Sequence, residues 1–391
     1  MNTCAIIPSS IEEMKLIAQI KLQPNPEQLA ALKATVEQAN SACNRISAYA
    51  WDNRTFGKFK LQKALYHPIK QEFGLSAQMV VRCFAKVSDA YALDKKTKRS
   101  FKSLGSIAYD DRILTFKLDK ALVSIWTVGG RLKIPYVCGD KQRELLKSRQ
   151  GESDLVYREG EFYLFVVCNV EQAPEGDITG FLGIDLGIKN IAADSMGETY
   201  AGNHLSSLRK RHAKLRKKLQ SKGTKSAKRL LKKRHRKEQR MAKNVNHLIS
   251  KKIVAKAKDT SQGIALEELT GIRERITVKK AQRRQHSSWA FADLRAKITY
   301  KAQIIGVPVV LVNPKNTSRT CPICGCVDKA NRKSQDKFLC VSCSYFSNAD
   351  TNAARIIASR AAVNRPNGST PLGGISPSGL GPSYPLQPVS C

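Results

Sequence analysis

Two cysteine pairs constrain this chain more than any other feature. Cys321-Pro-Ile-Cys324 and Cys340-Val-Ser-Cys343 are separated by 15 residues, the two-knuckle spacing of a zinc ribbon. Each C-x-x-C turn presents two thiolates to one side, and two such turns complete a tetrahedral site that closes a small loop with little core of its own. One structural Zn2+ held by Cys321, Cys324, Cys340 and Cys343 is therefore expected, with no open position for catalysis. Cys326 is a spare sulfur, and exchanging it for Cys324 would give the less usual C-x4-C spacing. Cys4, Cys43, Cys83, Cys138, Cys168 and Cys391 are scattered and read as reduced, mostly buried small apolar groups.

The charge balance points to a polyanion. Of 391 residues, 67 are Lys or Arg and 32 are Asp or Glu, giving a net charge of +35. Lys and Arg that neutralise phosphates release condensed counterions, so a nucleic acid is the expected partner. A hydrophobic share of 42% excludes a disordered chain. No run approaches the ~20 apolar residues of a membrane helix, and Met1 to Lys15 does not read as a signal peptide. A soluble, cytoplasmic, nucleoid-associated protein without membrane contact is expected.

Much of the charge lies in one segment. Between Leu208 and Lys243 there are 18 Lys or Arg and a single acid, Glu238. Leu205, Leu208, His212, Leu215 and Leu219 recur at helical spacing. Lys222-Gly-Thr224 interrupts them, and Leu230, Leu231, Met241, Val245, Leu248, Ile249 and Ile253 continue the pattern. The spacing predicts a helical hairpin over 205–258 with an apolar seam and a basic exterior.

Met14 to Leu22 alternates like a strand, and Asn25-Pro-Glu27 starts a helix over 26–50. Ser76 caps another helix, with Val80, Cys83, Phe84, Val87 and Tyr91 inward. From Ile107 to Val170 the texture is β, broken at Gly129-Gly130 and Gly160, as in a small antiparallel barrel or sheet. A βα texture follows from Gly180 to about Ile357. Residues 365–391 hold six Pro and five Gly without periodicity, and are expected to be disordered.

Three separated acids stand out within the βα region. In Phe181-Leu-Gly-Ile-Asp-Leu-Gly187, Asp185 faces away from Leu182, Ile184 and Leu186, while Gly183 and Gly187 on its own face leave room for a hydrated ion. On Gly263 to Leu269, Ile264 and Leu266 point inward and Ala265 and Glu267 outward; Glu268 falls on the apolar face unless the strand end lets it turn. Asp350 opens a helix in Asn348-Ala-Asp-Thr-Asn-Ala-Ala354. Each alone reads more readily as a carboxylate on a solvated strand face or as a helix N-terminal acid. Together, such carboxylates can hold two Mg2+ about 4 Å apart for phosphodiester hydrolysis.

Gly183-Ile-Asp-Leu-Gly-Ile-Lys-Asn190, the basic hairpin, Leu266-Glu-Glu-Leu269, Thr317-Ser-Arg-Thr-Cys-Pro-Ile-Cys-Gly325 and Asn348-Ala-Asp-Thr-Asn-Ala-Ala354 occur in this order. The set resembles TnpB, the RNA-guided nuclease family of insertion sequences considered ancestral to type V CRISPR effectors. The resemblance spans about residues 14–360. It implies a multidomain α/β protein: an RNase H-like RuvC nuclease domain with an inserted zinc ribbon, and an N-terminal wedge β-barrel interrupted by a helical recognition lobe. The implied boundaries are wedge strands in 1–25, the recognition lobe 26–105, the wedge barrel 106–178, the RuvC-like region 179–315, the ribbon 316–346, a closing RuvC-like helix 347–364 and the tail.

The same resemblance implies Asp185, Glu267 and Asp350 as catalytic ligands of two Mg2+, and the four cysteines as the Zn2+ site. It also implies a guide RNA and target double-stranded DNA as partners of a monomer. Gln78 resembles a position that reads a short motif beside the target, and Arg209, Lys210, Arg211, Lys217, Lys218, Lys232, Lys233 and Arg234 would contact nucleic-acid backbone. Ser344 stands where the family usually has Gly. Two other readings use parts of the pattern: a nuclease-inactive RNA-guided repressor, which would lack one or more acids, and a DNA transposase or its accessory protein.

Overall fold

The computed structural model describes residues 13–187, 190–201, 203–268, 291–334 and 336–364. They divide into two compact units between Gln172 and Ala173. The tail 365–391 lies outside the described residues. Among the described residues no helix is long and apolar enough to cross a membrane.

The first unit combines strands β1 (Glu13–Leu22), β2 (Ile107–Tyr109), β3 (Leu114–Lys117), β4 (Leu122–Thr127), β5 (Gly130–Val137), β6 (Arg149–Arg158) and β7 (Glu161–Glu171) with helices α1 (Pro26–Asp52), α2 (Lys58–Phe73), α3 (Ala77–Leu93) and α4 (Asp140–Lys147). Asn25 and Gln28 form a reciprocal capping box at the start of α1, with Pro26 in its first turn. Ser76 caps α3 through the Met79 N–H. α2 falls within the expected helical lobe, its own periodicity obscured by Pro68, whereas α4, inserted between strands, has no counterpart in the expectations from sequence.

The seven strands hydrogen-bond in the order β2-β6-β7-β1-β5-β4-β3. β1 lies in the middle, paired with β7 from Glu13↔Glu171 to Lys21↔Tyr163. The order leaves β2 and β3 as edges, so the expected barrel is not closed by backbone pairing. These edge strands have three and four residues; the Tyr109 hydroxyl of β2 donates to the Trp126 carbonyl of β4 at 3.1 Å.

The second unit is built on β8 (Gly180–Asp185), β9 (Asn190–Asp194), β10 (Thr199–Ala201), β11 (Gln262–Glu267) and β12 (Val309–Val312), in the order β10-β9-β8-β11-β12. β8, β11 and β12 run parallel, and β9 and β10 turn back antiparallel. Helices α5 (Asn203–Lys222) and α6 (Lys225–Asp259) connect β10 to β11, with Gly223 and the N-cap Thr224 at the break. Helix α7 (Phe291–Ile304) precedes β12. A cysteine-rich segment with the hairpin β13 (Lys337–Leu339) and β14 (Phe346–Asn348) leads into α8 (Ala349–Asn364).

The sheet is covered on both sides, as parallel strands require. Leu182, Ile184, Ile264 and Leu266 pack with Ile253 of α6 and Leu294 and Ile298 of α7. Phe181, Ala265 and Val312 pack with Ile357 and Ala361 of α8. Ala265 is thus fully buried, not outward-facing as the alternation suggested. Gly183 also corrects the sequence reading. A Cβ there would lie 1.9 Å from the Ala354 carbonyl oxygen and 2.6 Å from the Ala358 nitrogen. Its missing side chain admits the backbone of α8 and leaves no space for a hydrated ion.

Gly183→Ala should therefore lower stability by about 1–3 kcal/mol or more. Urea unfolding should show this as a lower midpoint, whereas Gly180→Ala, which meets nothing within 4 Å, should leave the midpoint nearly unchanged.

Candidate acidic centre and cysteine cluster

Parallel pairing brings the first two acids side by side. Ala265 is in register with Gly183 and Leu266 with Ile184, so one step further Glu267 and Asp185 leave the carboxyl ends of neighbouring strands together. The third acid comes from the first turn of α8. There the Asn348 side chain accepts from the N–H groups of Asp350 and Thr351 at 3.0 and 3.2 Å, a cap that fixes the helix start. Asp350 is buried, and its Oδ2 accepts from Asn190 Nδ2 at 2.9 Å.

Asp185 is the common neighbour. Burial and the charges of Glu267 and Asp350 push its carboxyl up to about 8. Burial also raises Glu267, against the Thr317 hydroxyl that donates to its Oε1 and the charges of Arg360 and Arg332. Glu268 turns the other way and accepts from Arg295 Nη1 of α7 at 2.8 Å. The geometry thus separates two acids that the sequence left adjacent.

Arg332 had no sequence signal, being one cation in a basic stretch. Its Nη2 lies 3.7 Å from Asp350 Oδ1, and its charge lowers the carboxyl pKa values of both Asp185 and Glu267. One guanidinium thus acts on three carboxylates. Hard oxygens, half-buried at Asp185 and Glu267 and buried at Asp350, that repel one another and are partly offset by a cation are the donor type divalent ions take; unlike the four sulfurs, they do not all lie within 4.8 Å of one another.

The four sulfurs of Cys321, Cys324, Cys340 and Cys343 all lie within 4.8 Å of one another, and they are the one such cluster among the described residues. Cys321 and Cys343 Sγ are 3.6 Å apart, and Cys324 and Cys340 Sγ 3.5 Å. A tetrahedron with Zn–S bonds of ~2.3 Å has edges of about 3.8 Å, so the set fits Zn2+. The two knuckles repeat one another: Gly325 N–H donates to the Cys321 carbonyl and Ser344 N–H to the Cys340 carbonyl, each at 3.1 Å. Gly325 and Ser344 hold the equivalent left-handed position, with φ of 72° and 59°. The Cys343 N–H donates to the Cys340 sulfur at 3.5 Å and lowers that thiol to about 6, while sharing protons with its neighbours pushes Cys343 up and burial raises Cys321, so the sulfurs divide into thiolate and thiol until a metal displaces the protons.

The basic hairpin forms as α5 and α6. Arg211, Lys217, Lys218, Lys232 and Lys233 are exposed and Arg234 is half-buried, while the side chains of Arg209 and Lys210 lie outside the described set. Glu238, the one acid of the segment, joins the helices by accepting from His212 Nδ1 at 3.0 Å and Arg216 Nη2 at 2.8 Å. The seam is narrower than the leucine pattern implied: Leu219, Ile249 and Ile253 are buried, but Leu248 is 64% exposed. Within the first unit, Gln78 is engaged at both ends of its amide, donating to Asp110 and accepting from Arg112 Nη1 at 3.1 Å.

Comparison with known proteins places these features. A family model described as "Probable transposase" matches residues 165–270, and one described as "Cas12f1-like, TNB domain" matches residues 291–357. A TnpB-like protein of Methanocaldococcus jannaschii is 37% identical over 145 residues, covering 37% of this chain and 51% of that protein. Over that stretch the chain is similar to a TnpB-like protein. The CRISPR-associated endodeoxyribonuclease Cas12f1 of Sulfoacidibacillus thermotolerans is 42% identical over 114 residues, 29% of this chain and 26% of its own. A putative RNA-guided DNA endonuclease, InsQ of Escherichia coli, is 37% identical over 82 residues, 21% of this chain and 20% of its own. The matches therefore span about half or less of these curated relatives. The structure of Cas12f1 in a complex with sgRNA and target DNA superposes with a TM-score of 0.54 at 16% identity, over 84% of this chain and 82% of that one, and so shares the multidomain α/β fold.

Two outcomes follow. A carboxyl raised from roughly 4 to about 8 keeps its proton in the metal-free fold where the unfolded chain has lost it, so its contribution falls as pH rises through that window. Asp185→Asn should raise the melting temperature of protein free of Mg2+ but retaining its zinc at pH 8 and leave it unchanged at pH 4, by calorimetry. Metal analysis should find about one Zn per chain, and stripping it should unfold the segment around the four sulfurs, seen as new protease cleavage between Cys321 and Cys343.

Proposed function

We propose that the chain is an RNA-guided DNA endonuclease whose second unit is an RNase H-like, RuvC-type nuclease with an inserted zinc ribbon. The observation that carries this reading is the convergence of Asp185, Glu267 and Asp350 from two parallel strands and one helix. Asp185, Glu267 and Asp350 would hold Mg2+, which when bound supplies an activated water and offsets charge on the leaving oxygen.

The chain's own groups prepare that site. Thr317 orients Glu267, Asn190 orients Asp350, and the Asn348 cap fixes the helix that carries it. Arg332, already beside the acids, is placed to hold a phosphodiester oxygen, a task its planar fork of donors suits. The cysteine cluster would hold a structural Zn2+ because its four sulfurs leave no open position. α5 and α6 would neutralise guide-RNA or heteroduplex backbone without reading sequence, leaving target choice to base pairing. Gln78, at the Asp110–Arg112 network, would read the motif beside the target. The intact acidic set supports a nuclease over a nuclease-inactive repressor.

Purification with bound nucleic acid, followed by sequencing and cleavage of a matching target in Mg2+, tests the proposal. Protein carrying no RNA would overturn the guided reading. Glu267→Gln should abolish cleavage while Glu268→Gln retains most of it, and equal losses would overturn the assignment of Glu267.

A further inference from the structure

We propose that Asn331 is a positioning residue that couples the four-sulfur cluster to the carboxylates by aiming Arg332. Asn331 ends the short 3-10 turn Lys329–Asn331 and is completely buried. Its Nδ2 donates to the carbonyls of Arg319 at 2.9 Å and Cys326 at 3.1 Å, beside the first knuckle, and its Oδ1 accepts from Val341 N–H at 2.8 Å, inside the second. The Cys326 carbonyl also accepts from Cys321 N–H at 2.9 Å. One amide therefore spans both halves of the sulfur site and is fully satisfied only when the halves are joined.

The next residue is Arg332, which reaches the acidic centre. No free segment separates the buried amide from the guanidinium, so fixing Asn331 fixes where Arg332 leaves the module. A second tie sets the module against the acid-bearing helix: Asn352 Nδ2 of α8 donates to the Thr320 carbonyl, immediately before Cys321, at 3.1 Å. Joining the knuckles thus sets a cation among the carboxylates, giving the sulfur cluster an effect on the acidic centre without contact between them.

This inference rests on the nuclease reading for its cleavage arm alone. The test is a double-substitution cycle in the full chain loaded with Co2+ at the sulfurs, read by cobalt–thiolate absorption, Mn2+ affinity by paramagnetic resonance, and single-turnover cleavage. Asn331→Ala should keep the cobalt–thiolate band. It should reproduce Arg332→Ala by strengthening Mn2+ binding about threefold or more, because a competing positive charge has left, while slowing cleavage. General damage to the fold would weaken both. In an Arg332→Ala background, Asn331→Ala should change neither quantity further. Asn331→Ser, uncharged and too short to span both knuckles, provides a second variant should alanine collapse the module. The proposal fails if the cobalt band is lost in both variants, if Mn2+ affinity does not change, or if the Asn331 effect persists without Arg332. A chain that cleaves nothing overturns the nuclease reading and leaves the cobalt and Mn2+ measurements to decide this one.

Discussion

The second unit depends on the backbone of α8 lying directly on β8. Contact at Gly183, too close for any Cβ, brings the first turn of α8 beside the ends of β8 and β11. This places Asp350 beside two acids from strands and forces like charges into a partly buried space. Packing of Phe181, Ala265 and Val312 against Ile357 and Ala361 supplies the apolar contact that offsets the repulsion. The acidic centre is therefore strained electrostatically and relaxed sterically.

Charge of each sign has its own place. The described acids that repel one another gather at one end of the sheet, whereas Glu238 is spent inside the basic hairpin to hold two cationic helices together. Asp194 shows a third use: fully buried, it accepts from the N–H groups of Met196 and Glu198, the Tyr200 hydroxyl and Lys256 Nζ, so its charge is answered locally. Among the described residues Asp185 is answered less fully: the Leu186 N–H and the Arg332 charge offset only part of its burial and of the two like charges beside it.

Elements with local signals were legible from sequence. The cap at Asn25, the cap at Ser76, the Gly223-Thr224 break and the C-x-x-C pairs each act within a few residues, and each has the expected structure. Properties set by distant partners were not legible. Alternation placed Ala265 outward because it cannot see a helix arriving from residues 349–364, and Gly183 suggested room for an ion for the same reason. Glu267 and Glu268 are distinguished by Thr317 and Arg295, and Arg332 gains its meaning from a fold that carries it to Asp350. The periodicity of α2, within the expected helical lobe, was obscured by Pro68, and α4 was hidden by its brevity between strands.

The three acids enter the chain at residues 185, 267 and 350, and the last sits on the final described helix. A polypeptide emerging from a ribosome folds its earlier parts first, so β8 and β11 can pair while Asp350 is still unmade. The centre then has two acids, no Arg332 and no α8 covering Gly183. The order of synthesis thus delays the acidic centre until residue 350 has been joined, after every described strand.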